Sequence, residues 1–115
     1  MDTQFDMNEI NVDACFQYIQ TQADNHAFAK SEIIRTEAKL KATKAALMEA
    51  SEASSIAMKE SDAYRDIRYM EVAVEIANAT REEAKLNTLI KAAFAKIECW
   101  RAEMYTKRQE LRNLP

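Results

Sequence analysis

The chain has no glycine in its 115 residues, and its single proline is the last residue, Pro115. Average proteins contain about 7% glycine and 5% proline, and hairpin turns and phosphate-binding loops depend on glycine. The sequence therefore excludes most β architectures, glycine-rich phosphate loops and dinucleotide-binding fingerprints. Its abundant Ala, Glu, Lys, Met and Leu favour helix. We predict an all-α protein, an elongated antiparallel helical hairpin or coiled-coil-like bundle with a short or kinked N-terminal helix.

Capping residues and polar stretches predict where the helices end. Asn11 is a good N-cap residue ahead of an apolar run, and the polar residues 21–25 favour a break. Serine competes for backbone hydrogen bonds, so the serine-rich residues 51–55 predict the main joint. We predict one helical domain over 11–115, with helices at about 11–20, 24–50 and 55–112, and a partly ordered acidic lead-in at 1–10.

A strict 3,4 spacing runs through the second half of the chain, which is typical of a coiled-coil seam. Its positions are Tyr69, Val72, Ile76, Ala79, Glu83, Leu86, Ile90, Ala93, Ile97, Trp100, Met104, Lys107 and Leu111. Residues 80–83 fit a capping box, which favours a helix start at Thr80. Because the seam crosses Thr80 without a phase slip, we predict one continuous helix and keep a break there as the alternative.

A second apolar stripe lies on the same predicted helix. It consists of Ala63, Ile67, Met70, Val74, Ala77 and Ala84. Two stripes make a helix wide enough to contact more than one neighbour. We therefore keep a homodimer as an alternative beside a hairpin within one chain.

The two predicted arms of the hairpin differ in length. A helix rises 1.5 Å per residue, so an arm that starts at Asn11 reaches only to about residue 95 of the other arm. Burying one large apolar side chain contributes about 1.5–3 kcal/mol. The apolar side chains of the longer arm beyond residue 95 should therefore be buried against another segment or molecule. Three alternatives could bury these side chains: residues 1–10, a second copy of the chain, or a partner protein.

We predict an interaction surface at this far end, because Trp and Arg are enriched in the hot spots of interfaces. Its residues are Ile97, Trp100, Arg101, Met104, Tyr105, Lys107, Arg108 and Leu111.

Residue types that carry catalysis are scarce. His26 is the only histidine, and Cys15 and Cys99 are the only cysteines. Cys15 lies about three helical turns from His26, so the two cannot pair as nucleophile and base within one helix. One histidine also excludes a di-iron carboxylate bundle, which needs Glu-x-x-His twice. We predict that the chain is not an enzyme and has no catalytic residues, metal site or cofactor.

Charge is unevenly distributed along a chain whose net charge is −3. Residues 1–25 have five acidic and no basic side chains, whereas residues 85–112 have seven basic and three acidic ones. Basic side chains near Trp100 and Tyr105 suit nucleic-acid binding. The interleaved glutamates are more typical of a solvated helix face, so we favour a protein partner and keep nucleic acid as an alternative.

Hydropathy predicts no membrane partner. The sequence starts with acidic residues instead of the apolar run of a secretory signal, and no stretch approaches the ~20 apolar residues of a membrane span. We predict a cytoplasmic protein with reduced thiols.

Three segments of the chain resemble a group of small helical phage and prophage proteins. They are KATKAALMEAS at 41–51, SSIAMKESDAYRDIRY at 54–69 and REEAKLNTLIKAAFAKIECWRAEMYTKR at 81–108. Proteins of this group have a serine-rich joint, a middle A-x-x-Y element and a closing helix with an I-E-x-W-R signature. The signature matches Ile97, Glu98, Trp100 and Arg101, and the similarity covers about residues 24–108.

The resemblance implies a protein without catalytic residues, whose genes accompany phage recombination and single-strand-binding functions. We therefore expect a non-enzymatic phage- or prophage-type interaction protein in the host cytoplasm, which binds a protein partner in nucleic-acid processing. Inhibition of a host defence or nuclease complex, as by an anti-CRISPR protein, is one form of that role. The alternatives are a recombination accessory that contacts single-stranded DNA or its binding protein, and a structural homodimer.

Overall fold

The computed structural model describes residues 10–115, which form three α-helices and no β-strand. The helices are α1 (Val12–Ala50), α2 (Ile56–Arg65) and α3 (Ile67–Arg112). The all-α fold predicted from the absence of glycine is confirmed. The acidic lead-in predicted at 1–10 lies outside the described residues, apart from Ile10.

The helices pack into two compact units. The first comprises residues 10–25, within the described range, together with Leu86–Pro115, and the second is His26–Lys85. Both long helices contribute to both units. The single domain predicted over 11–115 stays a prediction.

Side-chain contacts within the second unit show that α1 and α3 run antiparallel. His26 Nε2 lies 2.9 Å from Glu83 Oε1, and Lys39 Nζ lies 3.0 Å from Glu75 Oε1. Residue numbers therefore rise along α1 as they fall along α3. This arrangement confirms the predicted antiparallel hairpin.

The buried positions combine small and large side chains. They are Ala29, Thr36 and Leu47 on α1, Ala63 on α2, and Val72, Leu86, Ala93 and Ile97 on α3. The α3 positions all belong to the predicted seam. The Thr36 hydroxyl donates to the Glu32 carbonyl at 2.7 Å, so this buried polar group is satisfied within its own helix. Small side chains at these positions let the helix backbones approach closely.

The predicted break at 21–25 is wrong, because α1 is continuous from Val12 to Ala50. The helix starts after Asn11, whose side-chain oxygen accepts from the Ala14 N–H at 3.0 Å. Four of the five residues at 21–25 are exposed, so their polarity reflects a solvent-facing surface. Without proline or glycine at 21–25, nothing there ends a helix.

The helix predicted over 55–112 is also wrong, because it is two helices separated at Asp66. The Asp66 backbone is extended, with φ −71° and ψ 135°. Its carboxylate accepts from the Arg68 N–H at 2.9 Å and so caps the start of α3. Beyond this break α3 continues through Thr80, as the unbroken seam predicts.

Two tyrosines flank the break and contact each other. The rings of Tyr64 and Tyr69 meet edge to face with centroids 5.2 Å apart, and the Lys44 ammonium lies 4.9 Å from the Tyr64 ring centroid. The neighbouring Tyr64 side chain raises the pKa of Lys44. These contacts join α1 to α2, and α2 to α3, at the junction.

The joint between α1 and α2 lies at the serines that predict it. The Ser55 hydroxyl accepts from the Met58 N–H at 3.2 Å and caps α2. Ser51 donates its hydroxyl to Asp62 Oδ2 at 2.7 Å and accepts from the Ala53 N–H at 3.2 Å. The serine side chains therefore satisfy the backbone where α1 gives way to α2.

None of the helices in residues 10–115 combines the length and apolar composition that a membrane span requires.

Candidate interaction surface

In the first unit, α3 extends well past the start of α1. A groove between the two helices is lined by Ala14, Cys15 and Tyr18 of α1 and by Leu89, Ala92, Ala93 and Lys96 of α3. The first turn of α1 is therefore level with about residue 96 of α3. From Ile97 to Arg112, α3 continues for about 22 Å beyond that level. This register agrees with the arm lengths predicted from the sequence.

Ile97 does not belong to the exposed surface for which it was predicted. Its side chain is only 2% exposed. It follows the buried Leu86 and Ala93 along the seam, and it lies within one turn of the level at which α1 starts. Ile97 is therefore a core residue, and the open part of the seam starts at Trp100.

The remaining predicted residues, together with Arg112, form two neighbouring stripes, which we call the α3 end (residues 100–112). The first stripe continues the seam with Trp100, Met104, Lys107 and Leu111. The second lies about 100° further round the helix, with Arg101, Tyr105, Arg108 and Arg112. Trp100 and Met104 are half-buried, and the other six residues are exposed.

Exposure of the large side chains increases toward the end of α3. Tyr105 is 64% exposed and Leu111 is 68% exposed. Most of each side chain is therefore in contact with water, although tyrosine is amphipathic and leucine is apolar. Exposed large side chains beside charged ones occur at protein contact surfaces.

Two cations of the α3 end pair with glutamates on the same helix. Arg101 Nη1 lies 2.9 Å from Glu98 Oε1, and Lys107 Nζ lies 3.4 Å from Glu103 Oε1. Surface pairs of this kind contribute about 0–1 kcal/mol, so a partner's carboxylate can replace either glutamate with little loss. Arg108 forms no ion pair with any residue in the described range.

Sequence reasoning missed two residues that extend this surface. Phe94, which is half-exposed, precedes Arg101 and Tyr105 at helical spacing, and Leu114 is exposed just after α3 ends. The signal for Phe94 is a 4,3,4 spacing through positions 94, 98, 101 and 105. The predicted seam lies beside this stripe and is the more regular apolar pattern, so the stripe that contains Phe94 was overlooked.

The residues considered for catalysis lie in ordinary helical surroundings. His26 contacts Glu83, Cys15 is half-buried in the groove, and Cys99 is exposed. Within residues 10–115, no three His, Cys, Asp or Glu side chains are grouped as metal ligands would be. The absence of enzymatic activity stays a prediction.

The second apolar stripe is divided by the break at Asp66. Ala63 is completely buried on α2, whereas Ile67, Met70 and Val74 on α3 are more than half exposed. The stripe therefore forms an exposed apolar face on the second unit.

The chain matches no protein-family model, no curated protein and no solved structure.

Proposed function

We propose that this chain is a non-enzymatic binding protein that docks the α3 end onto a protein partner. The observation that carries the proposal is the 22 Å or so of α3 beyond the start of α1, with Tyr105 and Leu111 largely exposed on it. Tryptophan, tyrosine and arginine dominate binding energy in protein interfaces, and all three are present here.

The two stripes suggest how a partner would contact the helix. Trp100, Met104 and Leu111 have the spacing with which a helix places anchors in an apolar groove. The neighbouring arginines would face the rim of that groove. A rim of carboxylates would complement them and would increase the association rate.

We further propose that the partner belongs to nucleic-acid processing, and that binding inhibits a host defence or nuclease complex. The support is the resemblance of the I-E-x-W-R segment to small phage proteins, in which Trp100 and Arg101 are part of the signature. In this proposal the chain is phage- or prophage-derived and acts in the host cytoplasm.

Capture of the partner from a host lysate tests the docking surface. We expect Tyr105→Ala with Leu111→Ala to lose the partner without losing helicity, because both side chains are exposed and outside the core. Ile67→Ala with Val74→Ala is the matched control, since it removes similar exposed apolar area from the second unit and should retain the partner. Equal capture by both double variants would refute the α3 end as the docking surface.

A recombination accessory that contacts single-stranded DNA is the second candidate. One observation favours it, because Tyr105 lies between Arg101 and Arg108 on one exposed stripe, where a base can stack beside cations. Nuclease treatment of the same lysate distinguishes the two candidates. A protein partner remains captured after treatment, whereas a partner bridged by nucleic acid is lost, and direct DNA binding weakens steeply with salt.

A further inference from the structure

The groove between α1 and α3 has the size and the lining of a small-molecule site. Its volume is about 360 Å³, within the range of about 300–1,000 Å³ that is typical of ligand pockets. Its lining is mostly apolar, and all of it belongs to the first unit. The α3 end starts at Trp100 and shares no residue with this lining. The groove is therefore a separate feature that the proposed docking function leaves unused.

The two ends of the groove differ in polarity. Because α1 and α3 run antiparallel, Lys96 and the first turn of α1 lie at one end, and Tyr18 and Leu89 lie at the other. Alanine side chains line the stretch between the two ends. From Leu89 to Lys96 the groove extends about 10 Å along α3. It therefore offers an elongated apolar surface with a cation at one end.

Lys96 determines which charge a ligand can carry. Among the described residues that line the groove, it is the only charged one. Its ammonium forms no ion pair with another residue in the range 10–115. A carboxylate at this end would accept charge-assisted hydrogen bonds from Lys96. An alkyl chain would at the same time displace water from the alanines and from Leu89.

We propose that the groove binds a small apolar carboxylate, with the carboxylate at Lys96 and the alkyl chain directed toward Tyr18 and Leu89. Both halves of such a ligand match the lining, whereas a neutral molecule lacks the contact with Lys96 and a cation is repelled by it. The site belongs to the first unit alone and does not depend on the docking function of the α3 end.

Octanoate is a suitable probe, because its extended chain is similar in length to the groove. The two cysteines report on its binding, since Cys15 lines the groove and is half-buried, whereas Cys99 is exposed and outside the lining. At about ten times the Kd of octanoate, we expect alkylation of Cys15 by iodoacetamide to slow about tenfold, because only the empty groove exposes this thiol. Alkylation of Cys99, measured in the same sample by mass spectrometry, should not change.

Two variants separate the apolar contact from the charge. Ala92→Leu fills the groove and should abolish the protection of Cys15, whereas Ala84→Leu, at an exposed alanine of α3 outside the lining, should retain it. Lys96→Met keeps the length of the side chain but removes its charge. It should weaken octanoate binding about two- to fivefold and leave the binding of octanol unchanged.

The same measurements can overturn the proposal. An unchanged alkylation rate at Cys15 over the whole octanoate titration, with helicity retained, would show that the groove is not a binding site. Equal slowing at Cys15 and Cys99 would show a non-specific effect of the probe. Equal affinity for octanoate and octanol in the unmodified chain would refute the role of Lys96 in selecting a carboxylate.

Discussion

Asp66 determines where α2 ends and α3 begins. Hydrogen bonds from the Arg68 side chain and backbone N–H lower the pKa of Asp66 from 3.8 to about 2. The hydrogen bonds from the Arg68 backbone and from its guanidinium therefore both depend on the ionised Asp66 carboxylate. The folded chain binds a proton at Asp66 more weakly than the unfolded chain does, and this difference gives the junction a pH dependence.

The stabilisation at Asp66 is complete above pH 3.8 and is lost as the pH falls through about 2. We expect amide exchange at Arg68, measured relative to a distant α3 amide, to become faster over that acidic range. Asp66→Asn keeps a side-chain oxygen that can cap α3 but cannot titrate there. The asparagine variant should lose the pH dependence of exchange at Arg68, and an unchanged acid profile in that variant would contradict the assignment.

His26 and Glu83 form a partly buried side-chain contact between α1 and α3. Replacing either side chain with alanine leaves its partner half-buried without its 2.9 Å contact. We expect a coupling free energy of about 0.5–1.5 kcal/mol in a double-mutant cycle followed by urea unfolding. The exposed pair of Lys39 and Glu75 is the comparison and should give a smaller coupling. A larger coupling for the exposed pair would contradict the role of burial.

At the scale of helices, the periodic pattern predicted more than the individual capping residues did. The seam places Val72, Leu86 and Ala93 correctly in the core, because burial of a continuous face outweighs local preferences. The polar residues 21–25 failed as a break because helices tolerate polar residues on an exposed face. Asp66 was missed because one aspartate in a charged segment does not stand out, although it caps α3 effectively.

Close packing at small core residues is testable at Ala29, which is 5% exposed. A larger side chain there must displace a neighbouring helix or adopt a strained rotamer. We expect Ala29→Leu to lower the free energy of unfolding by about 1–3 kcal/mol. Ala27→Leu at an exposed position of the same helix should change it by less than about 0.5 kcal/mol. Equal effects at both sites would contradict the close approach of the helices.

At the scale of the whole chain, the candidate surface follows from a comparison of helix lengths. The sequence predicted that α3 extends beyond the start of α1, and the residues of α1 and α3 that line the groove agree with this. It did not predict that Ile97 is buried, because arm lengths alone locate the end of α1 only to within about a turn. Side-chain exposure at Trp100 and Met104 depends on packing that no periodic pattern describes.

The homodimer alternative makes a different prediction for the whole chain. In that case the exposed face of Ile67, Met70 and Val74 is one surface available for self-association. We expect sedimentation to give a mass that Val74→Glu does not change, because the docking proposal does not require this face. A dimer of the unmodified chain that Val74→Glu dissociates would favour the structural homodimer.

Site-specific photo-crosslinking in cells of the proposed host tests the docking surface most directly. A photoreactive phenylalanine analogue at position 105 lies on the exposed stripe of α3, and the same analogue at position 74 lies on the exposed face of the second unit. We predict a covalent adduct with one protein from position 105, resistant to nuclease and absent from position 74. An adduct from position 74 with none from position 105 would contradict the account.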